Sequence, residues 1–307
     1  MAADDQSGTP PFPALSTRIS LSLLLALLFA GAALVVACGT NAENRPGGGD
    51  SLPKLPSIYM PPSTLIKDGD ITLAIRLSDE QQAVTVYQAA PYREADDRYV
   101  ESIATKLGIV GKPERNSDGV YEVDSGAGSV TVWGENNFSF VRTPSQETGT
   151  GTAGDEELSR QAETFLSEYG LLPANAQFQS VDSHRIVNFR NRLVSPGIGG
   201  PLVDVVVDPN GVVTQFRYDW PDLIRLGDYP LLSEKQAFER IFEGGVFVTF
   251  RHFPAQVDSV QLSFHEERAE NGENVYVPFY WFRGPDDGSI RVPAVRDEYI
   301  QGPNGGP

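Results

Sequence analysis

The globular part of this 307-residue chain predicts an α+β fold in two small modules, each an antiparallel sheet packed against one or two helices. Three observations lead there. Apolar and polar residues alternate with period 2 in many short stretches, the mark of half-buried strands. Two segments, near residues 94–107 and 155–169, instead place apolar residues at helical spacing and stop at a glycine. Between them, residues 143–154 are poor in apolar side chains and rich in Gly and Thr, which reads as a linker.

The first module, residues 67–142, opens on alternation: Ile71, Leu73, Ile75 and Leu77, then Val84, Val86 and Ala89. A helix follows, with Val100, Ile103, Ala104 and Leu107 at i, i+3, i+4 and i+7, and Gly108 ends it. Strands are expected over residues 119–123, 129–133 and 138–141, the first two joined by a turn rich in Gly and Ser.

The second module, residues 155–300, begins with Asp155, Glu156 and Glu157 in the first turn of a helix, where the helix dipole favours negative charge. Leu158, Ala162, Phe165, Leu166 and Tyr169 line one face, and Gly170 ends the helix as Gly108 ends the first. Both helices continue through two aliphatic residues into a turn, which reads either as a shared helix-then-sheet plan of the two modules or as convergence on a glycine cap with its hydrophobic contact. A hairpin over residues 201–218 turns at Asn210-Gly211. Ser233 and Gln236 have capping-box spacing, so a third helix starts there. Strands return over residues 257–265, 274–282 and 289–295, and residues 301–307 read as a disordered tail.

Ahead of these modules stands an uncharged apolar run from Ile19 to Val36, preceded by Arg18 and followed by Cys38, the one cysteine in the chain. A single cysteine excludes an internal disulfide framework and a zinc site built from several thiolates. The run is long enough to enter a membrane. Val35-Val36-Ala37-Cys38 resembles the lipobox of a bacterial lipoprotein signal peptide. The resemblance implies that residues 1–37 are removed and that Cys38 becomes a lipidated N-terminus, carrying thioether-linked diacylglycerol with its palmitate-type chains. An uncleaved signal anchor is the alternative, and Asp4 and Asp5 ahead of the run favour it. Residues 38–66, rich in Pro, Gly and Asn, read as a flexible tether.

The formal charge is −17, of which Asp4, Asp5 and Arg18 contribute −1, leaving −16 for residues 38–307. Such a chain is repelled by nucleic acid and by anionic headgroups, so the expected membrane contact runs through lipid on Cys38 alone. The expected location is the cell membrane, facing the extracytoplasmic side.

Three phrases in the last third of the chain, PLLSEKQAF, VYVPFYWF and VPAV, resemble the PepSY-like and YycH/YycI-type extracytoplasmic proteins. The resemblance implies an antiparallel sheet packed on helices and a regulatory contact with a membrane sensor or secreted enzyme. It brings no catalytic residue with it.

Catalytic motifs are few. His184, His252 and His265 stand at no metal-ligand spacing, and His265-Glu266-Glu267-Arg268 lacks the second histidine of a zinc peptidase. No G-x-S-x-G elbow occurs. Gly197-Ile198-Gly199-Gly200 does not open a helix, as a phosphate loop requires. Asp96-Asp97, Glu266-Glu267 and Asp286-Asp287 are adjacent pairs, which on a strand point to opposite faces. Tyr276, Phe279, Tyr280, Trp281 and Phe282 make both faces of one strand apolar, which predicts a covered central strand, the alternative being one aromatic face presented to a partner. The expectation is therefore a lipid-anchored, noncatalytic protein without cofactor or metal that binds a protein or envelope partner. The alternative is a surface hydrolase or ligand-binding lipoprotein with a carboxylate site that no motif reveals.

Overall fold

The computed structural model describes residues 52–56, 70–143, 153–243, 247–249, 254–269, 271–285 and 288–301. Among the described residues strand makes up 44% against three helices, so the fold is mostly β rather than a balanced α+β. The excess comes from short strands that sequence patterning passes over, such as Glu114–Arg115 and Gly197–Ile198, and from Leu223–Pro230.

One sheet has eight strands, all antiparallel. In chain order they are β3 (Glu114–Arg115), β4 (Tyr121–Ser125), β5 (Gly128–Gly134), β6 (Asn137–Arg142), β7 (Ala176–Val181), β8 (Ile186–Asn191), β10 (Leu202–Val207) and β11 (Val213–Asp219). In space the order is β3-β4-β5-β6-β11-β10-β8-β7. Each half is a helix followed by a four-stranded meander, and the halves meet last strand to last strand. Helix α1 (Asp97–Lys106) packs on β4 and β5, and α2 (Asp155–Glu168) on β7, β8, β10 and β11. Burial alternates along β5, β6, β8 and β10, so one face of the sheet carries the core. Val130, Val132, Phe138, Phe140, Val203, Val205 and Phe216 pack there with Val100, Ile103, Ala162 and Leu166 of the helices.

The helix ends follow from their residues. The Asp96 side chain caps α1 by accepting from the Tyr99 amide at 2.8 Å. Gly108 and Gly170 take φ of +74° and +61°, a left-handed geometry that terminates each helix without Cβ strain. Helix α3 (Glu234–Glu243) opens with the reciprocal box foreseen from its spacing. The Gln236 amide donates to Ser233 Oγ at 3.2 Å and the Ser233 amide to Gln236 Oε1 at 2.9 Å.

The second sheet runs β12-β2-β16-β15-β9, with β17 alongside β16 and β13 alongside β17. These strands are β2 (Ala83–Ala89), β9 (Gly197–Ile198), β12 (Leu223–Pro230), β13 (Phe247–Thr249), β15 (Ser259–Arg268), β16 (Asn274–Arg283) and β17 (Ser289–Pro293). A separate parallel pair joins β1 (Thr72–Leu73) to β14 (Gln256–Val257). The expected strand over residues 71–77 is reduced to β1, although Ile71 and Leu77 are buried at its ends. β16 is the central strand that its aromatic run predicts: Val275 through Tyr280 and Phe282 are buried.

The two modules do not divide at residues 143–154. Residues 144–152 lie outside the described residues, but β6 on one side pairs with β11 on the other over five residue pairs. Likewise β2 leaves the first segment to pair with β12 and β16. A gap in apolar composition marks a connection in the chain; Phe138 and Phe140 opposite Tyr218 and Phe216 bury each other across it.

The tether needs one correction. Within residues 38–66 only 52–56 are described, and these are docked, with Leu55 0% exposed. Leu55 bonds Tyr299 and Gln301 through its backbone, at 2.7 and 2.9 Å, and the Tyr229 hydroxyl donates to the Pro53 carbonyl at 2.7 Å. An extended Pro-rich segment suits a sheet margin, and Leu52 and Leu55 supply the apolar contact.

Candidate functional site

Cys38 and the apolar run before it lie outside the described residues, as do His252, Asp286, Asp287 and residues 302–307. Among the described residues no helix is long and apolar enough to cross a membrane. Asp96 and Asp97 belong to the start of α1. His184 is exposed in the turn between β7 and β8. His265 Nδ1 lies 2.7 Å from Glu267 Oε1, a contact between residues on one face of β15. Glu266, one residue away, points elsewhere: its Oε2 accepts from the Gly200 amide at 2.6 Å, and its Oε1 from the Asn274 amide side chain. The adjacent pair thus diverges as strand geometry requires. Asp208 accepts from the amides of Asn210 and Val212, both at 2.8 Å, and so shapes the hairpin turn.

The phrases quoted above from the last third come together in space. Leu231 bridges Val295, the Leu232 amide donates to the Ala294 carbonyl at 2.7 Å, and the Tyr280 hydroxyl donates to the Leu232 carbonyl at 3.0 Å. Trp281 stands with the guanidinium carbons of Arg283 and Arg291 3.6 and 4.7 Å from its ring centroid.

A cleft of about 370 Å³ opens where the two sheets meet. Four connections build it. The segment after β2 supplies Ala90, Pro91 and Tyr92; the end of β11 supplies Asp219; the loop around β9 supplies Gly200; and the β15–β16 hairpin supplies Glu266, Glu273 and Tyr276. β9 is the stitch, since Gly197 and Ile198 leave the first sheet to pair in parallel with Phe264 and His265. Gly200 has φ of +87°, and a Cβ there would come within 2.9 Å of the Tyr276 ring, so only glycine lets the loop lie against it.

Inside the cleft the Tyr92 hydroxyl donates to Asp219 Oδ1, and Arg217 donates to Asp219 Oδ2 at 3.0 Å. Burial and that hydrogen bond push the Tyr92 phenol above its ordinary range. Tyr276 is 2% exposed, and burial, then the carboxylates of Glu266 and Asp219, push its phenol up as well. Among the described residues no lysine or arginine lines the cleft.

Nothing local in the sequence marks this site. Tyr92 and Asp219 are 127 positions apart, and Gly200 and Glu266 are 66 apart. The Gly199-Gly200 pair was the available signal, as a place where backbone must approach closely.

The outer edge of the eight-stranded sheet is the other candidate. β7, with sequence AQFQSV, carries no charge, and Gln177, Phe178, Gln179 and Ser180 are exposed. Among the described residues it pairs with β8 only.

No family model and no curated protein matches the chain. Among solved structures, an uncharacterised protein from Eubacterium rectale ATCC 33656 is similar at 10% identity and a TM-score of 0.34, over 69% of this chain and 82% of that one. Likeness at that level identifies neither fold nor function.

Proposed function

We propose that this chain is a noncatalytic protein, anchored to the outer face of the cell membrane by lipid on Cys38, that binds an extended segment of an envelope protein along the free edge of β7. The observation that carries this reading is the contrast between the two ends of the sheet. β3 is guarded in the usual way, being two residues long and charged at both, Glu114 and Arg115. β7 has six residues, no lysine, no proline and no charge, and Phe178 is 40% exposed. A register shift between Phe178 and Ser180 is its one irregularity. Unpaired backbone groups along such an edge supply affinity to an added strand, and Phe178 supplies an apolar contact.

A lipid anchor confines both partners to one surface, which raises their effective concentration and lets a weak contact suffice. The resemblance to PepSY-like and YycH/YycI-type proteins makes a membrane sensor or secreted enzyme the natural partner class, and regulation by occupancy the natural effect. The alternative of a ligand-binding lipoprotein is favoured by one feature, the cleft at Tyr276, which is independent of the β7 edge.

The test is affinity purification of the full-length chain from membranes, comparing wild type with Phe178→Lys and Gln177→Lys. The second variant keeps the Phe178 ring against Phe189, 6.4 Å between centroids, so it separates edge blocking from lost packing. One identified protein retained by wild type and lost from both variants supports the proposal. An identical partner set in all three, or turnover of a glycan or peptide substrate by the purified chain, overturns it.

A further inference from the structure

Given contact at β7, on which this depends, we propose that the segment added there carries lysine or arginine at alternate positions, on the side that faces α2. The partner is then a basic strand rather than a neutral or acidic one.

The flanks of α2 supply the first argument. Phe165 packs against Phe216 of β11, with 5.9 Å between ring centroids, and the Gln161 side chain lies against Gly211 in the turn between β10 and β11. That side of the helix points toward β11, whereas β7 stands beyond β10 and β8 in the other direction. At about 100° per residue, Ser159, Glu163 and Glu156 take the opposite flank. Because α2 also packs on β7, this flank borders the open edge. Glu156 and Glu163 are both exposed there. The one basic residue of α2, Arg160, is committed to Glu157, to which it donates at 2.9 and 2.5 Å, so no basic residue of the helix offsets the other two glutamates.

Phe178 supplies the second. It stands opposite Phe189, which belongs to the buried face of β8, so it projects from the same side of the sheet as α2, and it is 40% exposed. The stem of a lysine or arginine on an added strand covers this ring while its charged head turns to the glutamates. An aliphatic residue would cover the ring and leave the carboxylates unopposed, and an acidic one would meet like charge.

The third argument is the contrast with the other side of the edge. Gln177 stands opposite Arg190, so it belongs to the face of the sheet turned away from the helices. On that face Arg190 lies 3.5 Å from Asp204, and Arg192, just past the end of β8, is exposed. Basic residues of the segment gain nothing there, and charge therefore selects the α2 side. Residues 38–307, at −16, also draw a cationic segment toward the body at long range.

Site-specific photo-crosslinking from position 178 of the full-length chain in intact cells tests this, with the adducted partner peptide sequenced by mass spectrometry. The otherwise unchanged chain should capture a peptide with lysine or arginine at alternate positions. Glu156→Lys combined with Glu163→Lys should lower the yield of adduct at least about threefold, since two exposed attractions become repulsions. Glu101→Lys combined with Glu122→Lys, exposed on α1 and β4 in the other half of the sheet, makes the same change in net charge and should leave the yield unchanged. An acidic or uncharged partner peptide, or a yield that the α2 pair leaves intact, overturns the basic strand; if the adduct is still lost on Gln177→Lys, contact at β7 survives that result. Equal losses from both charge pairs overturn it too, as an effect of net charge alone. No adduct from the otherwise unchanged chain overturns the contact itself and the basic strand with it.

Discussion

Phe140 and Phe216 stand directly opposite each other on β6 and β11, their ring centroids 5.4 Å apart, although the low-apolar segment 143–154 lies between them in the chain. That pair sits in the seam where two helix-plus-meander halves become one eight-stranded sheet. Both rings are buried and join the same core as α1 and α2.

The seam predicts that cutting the connection does not release two domains. A protease site engineered into residues 144–152 should, after cleavage, leave two fragments that co-elute and unfold in one transition. Two separable fragments, each with its own melting temperature, would show that the seam contributes little. Phe140→Ala should lower stability by about 3–5 kcal/mol, because it opens a cavity at the join.

What was legible beforehand was local. The glycine stops of α1 and α2, the capping box at Ser233 and the Asn210-Gly211 turn all lie within a few residues of the groups they bond. The covered aromatic strand was legible too, because both faces of β16 are apolar. Pairings such as β6 with β11, β2 with β12 and β9 with β15 were not, since period 2 says that a strand exists and nothing about its neighbour. The cleft was hidden for the same reason: Tyr92, Asp219, Gly200, Glu266 and Tyr276 come from four separate connections. Leu55 was misread because one buried leucine in a Pro-rich stretch produces no period.

Docking of residues 52–56 predicts that Leu55→Ala costs about 2–5 kcal/mol, far more than any change in a free tether. Urea unfolding checks it. A cost below about 0.5 kcal/mol, typical of exposed positions, would contradict the docked arrangement.

Burial pushes the Tyr229 phenol up to about 12 from an ordinary value of 10.0. The folded chain therefore holds this proton more tightly than the unfolded one. The resulting stability is fully present below pH 10 and is lost as pH rises from there to about 12. Tyr229→Phe should flatten the fall in unfolding free energy over that window, and should cost about 1 kcal/mol at neutral pH through the lost bond to Pro53. An unchanged alkaline slope would show that Tyr229 does not titrate with unfolding.

The reciprocal box at the start of α3 predicts that Ser233→Ala destabilises by about 1 kcal/mol. Gln236→Ala, which removes the returning bond, should cost less than the two changes together, and a double-mutant cycle measures their coupling. Purely additive losses would mean that the two bonds act independently.

Lipid attachment at Cys38 predicts that Cys38→Ser yields no acylated mature protein, since serine offers no thiolate to the acyl donor. Intact-mass spectrometry of the membrane fraction reads the result. An unmodified Cys38 in the wild-type protein would refute the lipobox reading.

The central claim is contact along β7, and site-specific photo-crosslinking in intact cells tests it most directly. A photoreactive residue at Phe178 is compared with one at Val110, which is 84% exposed between α1 and β3, the strand at the opposite end of the sheet from β7. The account predicts one adduct, with an envelope protein identified by mass spectrometry, that forms from position 178, is absent from position 110, and disappears when Gln177 is changed to Lys. No adduct at 178, or the same adduct from both positions, would contradict it.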